Sequence, residues 1–100
     1  MQFIVIAYDG TDADAPGRRM AARDEHLKLG KEMYDAGRWL FAVGILDNVG
    51  AMIGSMIVCE FPSQEELEKQ WLRREPYVVG QVWRQIDIRR ARTAPFIPTC

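Results

Sequence analysis

The sequence predicts a single α+β domain whose elements follow the order β-α-β-β-α-β, and three observations lead there. Short apolar runs rich in β-forming residues occur near both ends of the chain and as a pair in its middle. Two stretches that carry helix-starting signals separate those runs. The chain is 100 residues long, which is room for one core and no more. A helix-and-sheet fold of that size can stand without disulfides or metal, although a partner chain often helps. Charged residues at 27% and hydrophobic residues at 48% fit an ordinary globular chain, not a disordered or membrane one.

The first run, Gln2 to Tyr8, is ended by Asp9-Gly10 and reads as a strand. Thr11 to Ala15 is turn-like, and Pro16 opens a helix, because its missing N–H would have no intrahelical partner anyway. That helix runs about 20 residues, roughly 30 Å, to Gly37, a natural stop. Its polar residues Asp24, Glu25, Lys28, Lys31, Glu32 and Asp35 collect in one wedge, with opposite charges at Asp24/Lys28, Lys28/Glu32 and Lys31/Asp35. The only histidine of the chain, His26, falls on the other side, among Ala22, Leu29, Gly30, Met33 and Gly37, with Arg19 and Arg23 beside it.

Arg38 to Leu46 is the second strand and Ala51 to Phe61 the third, joined by the turn Asp47-Asn48-Val49-Gly50 into an antiparallel hairpin. Ser63 with Glu66 three residues on makes a capping box, so the second helix starts there. It carries Leu67 and Trp71 on one face and ends by Arg74, because Pro76 disfavours helical geometry at Glu75. Val78 to Arg90 contains the last strand, with Val82, Ile86 and Ile88 on one parity and Trp83 on the other. Residues 1–92 form the domain, and 93–100, with Pro95 and Pro98, form an extended tail.

This order is the ferredoxin-like plan, with two helices on one face of a four-stranded antiparallel sheet. The other face is expected to be covered. The first strand has Phe3, Val5 and Ala7 on one parity and Ile4, Ile6 and Tyr8 on the other, and the third is apolar on both sides too. A half-wetted strand alternates instead. A second copy of the chain is the simplest cover, which predicts a homodimer with its sheets packed face to face.

Several function classes lose support. A net charge of −1 lacks the basic excess of a nucleic-acid binder. Cys59 within an apolar run and Cys100 at the end are neither a disulfide framework nor a metal-ligand spacing, and they suit a reducing cytosol. No charged leader precedes the first strand and no apolar run reaches about 18 residues, so the expectation is a cytoplasmic protein with no membrane partner. One histidine and no paired cysteine motif argue against zinc or iron, and no phosphate-binding glycine motif supports a nucleotide, so no cofactor is expected. What chemistry remains is proton transfer, in an isomerisation or an elimination.

Tyr8-Asp9-Gly10, Arg19, Arg23-x-x-His26-Leu27, Gly54-Ser55, Glu75-Pro76-Tyr77 and Val82-Trp83, in that order and spacing, resemble the YciI-like family (YCII-related domain). The resemblance spans Phe3 to about Arg92. It implies a dimeric α/β barrel of ferredoxin-like protomers, similar in architecture to muconolactone isomerase. It also implies a pocket around the helix histidine and the acid preceding the proline. One characterised type in the family is a dehydrochlorinase of a chlorinated hydroxyhydroquinone, with a His–Asp pair at its core. The family usually has Asp before the proline where this chain has Glu75, and the extra methylene is expected to displace the carboxylate by about 1.5 Å.

Under that reading His26 is the general base or acid, because an imidazole exchanges protons near neutral pH. Glu75 orients it and stabilises the imidazolium, with no serine or cysteine nucleophile in evidence. Arg23 and Arg19 bind negative charge on a small-molecule substrate, Ser55 offers a hydroxyl, and Tyr77 and Trp83 wall a pocket for a flat ring. Each has a plainer alternative. His26 can be a packed histidine satisfied by a backbone carbonyl, and Glu75 a solvated partner of Arg73 or Arg74. The arginines can cover apolar surface with their stems while their heads reach water or an acid, and the serine and aromatics can be packing residues. The alternative function is a non-catalytic ligand-binding or dimerisation module.

Overall fold

The computed structural model describes residues 1–98, so the reading of Cys100 lies outside it. The described chain forms β1 (Gln2–Asp9), α1 (Ala15–Asp35), β2 (Trp39–Leu46), β3 (Met52–Glu60), α2 (Gln64–Gln70), α3 (Pro76–Val79) and β4 (Trp83–Ala91), with a 3-10 turn at Leu72–Arg74. The strands lie in the order β2-β3-β1-β4 with every neighbouring pair antiparallel. This is the expected ferredoxin-like sheet. Among the described residues no helix is long and apolar enough to cross a membrane.

Helix α1 has Pro16 in its first turn and ends at Asp35, two residues before Gly37, which turns the chain at φ +75. A left-handed φ is easy for glycine alone, which is why the helix stops there. Of the three expected charge pairs along its wet face only Lys31–Asp35 forms. Glu32 instead pairs with Arg74 at 2.9 Å, tying α1 to the 3-10 turn. Ser63 caps α2 by accepting from Glu66 N–H, but the helix breaks at Trp71 (φ −124, ψ −65) before the 3-10 turn.

The front of the Val78–Arg90 stretch is not strand. Glu75 is extended (φ −63, ψ 119), as Pro76 requires, and its side chain accepts from Tyr77 N–H and so caps α3. With Pro76 as first residue and Gly80 after the last, the four residues Pro76–Val79 form one helical turn. Gln81 then reverses the chain at φ 56, and β4 begins at Trp83.

Paired residues in antiparallel strands point to the same face, so the register sorts the sheet into cross-strand rows. Toward the helices lie the rows Arg90-Phe3-Cys59-Trp39, Ile88-Val5-Ile57-Ala42 and Ile86-Ala7-Ser55-Gly44. The side chains of Phe3, Val5, Ile57 and Cys59 meet Leu29, Met33, Leu67, Trp71, Tyr77, Val82 and Trp83 in one buried core. On the open face lie Arg89-Ile4-Val58-Phe41, Asp87-Ile6-Met56-Val43 and Gln85-Tyr8-Gly54-Ile45. Three strands of that face are apolar and the fourth is polar. After β4 the tail turns back, with Thr93 N–H and Oγ1 both donating to Gln2 Oε1 at 2.7 Å.

The ring of Trp39 lies against α1 at Gly30, where a Cβ would come 2.6 Å from its Cζ3. At Gly17, also in α1, a Cβ would meet nothing within 4 Å. Gly30→Ala is therefore expected to destabilise the protein by about 1–3 kcal/mol through overpacking. Gly17→Ala should stabilise it by up to about 1 kcal/mol through helix propensity. Urea denaturation of the two variants checks the opposite signs.

Candidate active site

Glu75 is the starting point, because a carboxylate with no solvent exposure must find its partners inside the protein. It finds three. Its Oε1 meets His26 Nδ1 from α1 and accepts from Tyr77 N–H at 3.2 Å, and its Oε2 accepts from the Trp71 indole N–H at 2.8 Å. The break of α2 at Trp71 brings that indole onto the acid four residues later. The methylene that was expected to displace the carboxylate does not separate it from the histidine: the two side chains touch directly.

An ionised carboxylate only accepts hydrogen bonds, so the proton of a neutral His26 ring belongs on Nδ1 and Nε2 carries the lone pair. His26 is 9% exposed. Its Nε2 makes no hydrogen bond among the described residues, and it is not among the buried polar atoms left without a partner. The ring stacks on Tyr77 at 3.8 Å between centroids and 10° between planes, and the ring centroids of Trp39 and Trp83 lie 5.8 and 6.1 Å from its own. Burial pushes the Tyr77 phenol above its ordinary range against the opposing charges of Arg19 and Arg23, so the hydroxyl keeps its proton at neutral pH.

Beside the imidazole a cleft of about 160 Å³ opens between α1 and the β2–β3 side of the sheet. Its floor follows from the rows: Ala42, Gly44 and Ser55 are small, so the sheet leaves space where larger residues would reach α1. Its walls include His26, Arg19, Arg23, Leu27, Trp39, Met52, Ile57 and Tyr77. Six of the seven residues singled out from the sequence thus lie together, since His26, Arg19, Arg23, Ser55 and Tyr77 line the cleft and Glu75 stands directly behind His26. Trp83 does not line the cleft and is a core residue.

The two arginines differ. The Arg23 side chain is exposed and makes no hydrogen bond or ion pair among the described residues. Arg19 is held by Asp9 at 2.7 and 3.3 Å, by the Gly54 carbonyl at 3.0 Å and by Ser55 Oγ at 3.2 Å. Asp9, Trp71 and Trp39 acquire site contacts that sequence reasoning missed. The i,i+4 spacing of Trp71 and Glu75 and the placing of Asp9 at the end of β1 were the available signals.

Comparison with known proteins adds the following. The family model for the YCII-related domain matches residues 1–92. No curated protein sequence matches the chain. Among solved structures, one similar chain is 5-chloro-2-hydroxyhydroquinone dehydrochlorinase (TftG) from Burkholderia phenoliruptrix AC1100 in complex with 2,5-dihydroxybenzoquinone, at a TM-score of 0.78 and 16% identity over 94% of this chain and 96% of that one. Another is protein Atu4242 from Agrobacterium tumefaciens, at a TM-score of 0.55 and 11% identity over 98% of each. At these identities the likeness speaks for the fold.

The hydrogen bond from Trp71 to Glu75 has a control within the same core, because Trp83 is also buried but its indole N–H has no partner. Trp71→Phe orphans a buried carboxylate oxygen, which alone costs about 1–3 kcal/mol. Trp83→Phe loses packing only. Denaturant midpoints of the two variants should show the larger loss for Trp71→Phe.

Proposed function

Because the chain belongs to the YCII-related domain family, we propose that it is a cofactor-free enzyme that moves a proton on a small anionic or phenolic compound. The observation that carries this reading is the buried His26–Glu75 contact with an unpartnered imidazole nitrogen beside the cleft. Nε2 takes a proton from a hydroxyl or an activated carbon of the bound compound, and Glu75 stabilises the imidazolium that results. The freed electron pair then moves through the compound. In an elimination it expels a leaving group as an anion; in an isomerisation the proton returns at a different carbon. Arg23, with no partner of its own among the described residues, holds the negative charge. Arg19, Ser55 and Tyr77 complete the binding wall.

The dimensions support a single-ring compound, since a cavity of about 150 Å³ is enough for benzene. The structurally similar dehydrochlorinase, solved with 2,5-dihydroxybenzoquinone, supports an elimination of this kind. The rival reading is a small-ligand-binding module of the same fold without turnover. The test is a screen of hydroxylated, halogenated and carboxylated single-ring compounds for both thermal stabilisation and consumption. On a compound that is consumed, His26→Ala and Glu75→Gln should each lower kcat by about 10²–10⁴-fold, and Arg23→Gln should raise KM. If both dyad variants turn over within a few-fold of the unsubstituted protein, the enzyme reading fails. A ligand that stabilises the protein and is never consumed favours the rival.

The apolar rows through Phe41, Val58 and Ile4 and through Val43, Met56 and Ile6 support a homodimer packed through its open sheet faces. Sedimentation at micromolar concentration should give a dimer, and Met56→Lys, in the middle of a row, should give a monomer. A monomer for the unsubstituted chain overturns the assignment.

A further inference from the structure

Asp9 has no part in the chemistry just described, yet it is among the best-held acids in the molecule. Its side chain is 7% exposed and that of its partner Arg19 is 12% exposed, and two of the three guanidinium nitrogens reach its carboxylate. Two charges withdrawn from water to this degree need good geometry and further hydrogen bonds to be tolerated. Arg19 has both. Its remaining donors reach the Gly54 carbonyl, Ser55 Oγ and, at 3.5 Å, the Tyr77 hydroxyl, and its guanidinium carbon lies 4.7 Å from the centre of the Tyr77 ring. The same ring stacks on His26.

These contacts form one continuous chain from the end of β1 to the imidazole. Asp9 fixes the plane of Arg19, Arg19 holds Tyr77 by its hydroxyl and its face, and Tyr77 sets the plane of the ring whose Nδ1 must meet Glu75. A planar guanidinium suits the task, because it can pair with a carboxylate along one edge and still lie over an aromatic ring. We propose that Asp9 and Arg19 are positioning residues, which hold Tyr77 against His26 and so keep the imidazole aligned on Glu75. The inference rests on the reading of His26 as the proton carrier, but its test needs no substrate.

His26 is the only histidine, so a carbon–proton correlation spectrum of the native protein contains one imidazole, assigned without ambiguity. Stacking on Tyr77 shields its ring protons, and Tyr77→Leu marks where they resonate without that ring. Asp9→Asn and Arg19→Met are expected to move the imidazole signals more than half of the way to the Tyr77→Leu positions, with the far-UV circular dichroism unchanged. Arg19→Lys, which keeps the charge and loses the planar fork, should fall between. Asp12→Asn, which breaks the exposed pair with Arg18, should leave the signals in place. The proposal is overturned if Asp9→Asn and Arg19→Met resonate where the unsubstituted protein does, or if Tyr77→Leu itself moves nothing. Should either of those variants fail to fold, Arg19→Lys carries the same decision. An unchanged kcat in His26→Ala would sink the catalytic reading and leave these shifts as they are, so the two failures are distinguishable.

Discussion

The structure depends on how one negative charge is kept away from water. Glu75 is fully buried, and an isolated carboxylate in such a place would bind a proton or unfold its surroundings. Its donors come from three places in the chain: His26 on the long helix, Trp71 where the second helix ends, and the first turn of the short helix that Glu75 itself caps. Satisfying the carboxylate therefore joins all three helices at one point. The same arrangement leaves the imidazole with one nitrogen committed and one available, which is the polarity that proton transfer needs. Stability and the proposed proton transfer rest on the same three contacts.

The fold was legible because its signals are either periodic or punctuated. The polar wedge of Asp24, Lys28, Lys31 and Asp35 implied the buried side of α1, and His26 is on it. Ser63, Pro76 and Gly37 marked ends that the backbone respects. The helix Pro76–Val79 was not legible, since four residues are too few to display a period and two adjacent valines read as strand. The direct meeting of Glu75 and His26 was not legible either. Side-chain length alone suggested a displaced carboxylate, but Trp71 and Tyr77 N–H hold it in place. Which arginine would remain free was equally hidden, because Arg19 and Arg23 share a helix side and only the turn after β1 decides which of them Asp9 reaches.

The two faces of the sheet divide the labour. Toward the helices, aromatic rings pack edge against face: Trp39 on Trp71, Trp71 on Trp83 and Trp83 on Tyr77. Such pairs combine large burial with a preferred geometry, which suits a wall that must hold a histidine in one orientation. On the open side the apolar rows end at Gln85, Asp87 and Arg89 of β4. That edge stays polar while the other three strands do not, so the apolar surface has a direction as well as an area.

The cleft exists because of atoms that are missing from its floor. Ala42, Gly44 and Ser55 come from the sheet, whereas His26, Arg23 and Tyr77 come from the helices. Shape and the proposed chemistry are therefore written in different parts of the chain. A single added methyl on the floor changes the space in the cleft and touches neither Glu75 nor His26. The capacity of the cleft can therefore change while the buried His26–Glu75 pair stays as it is.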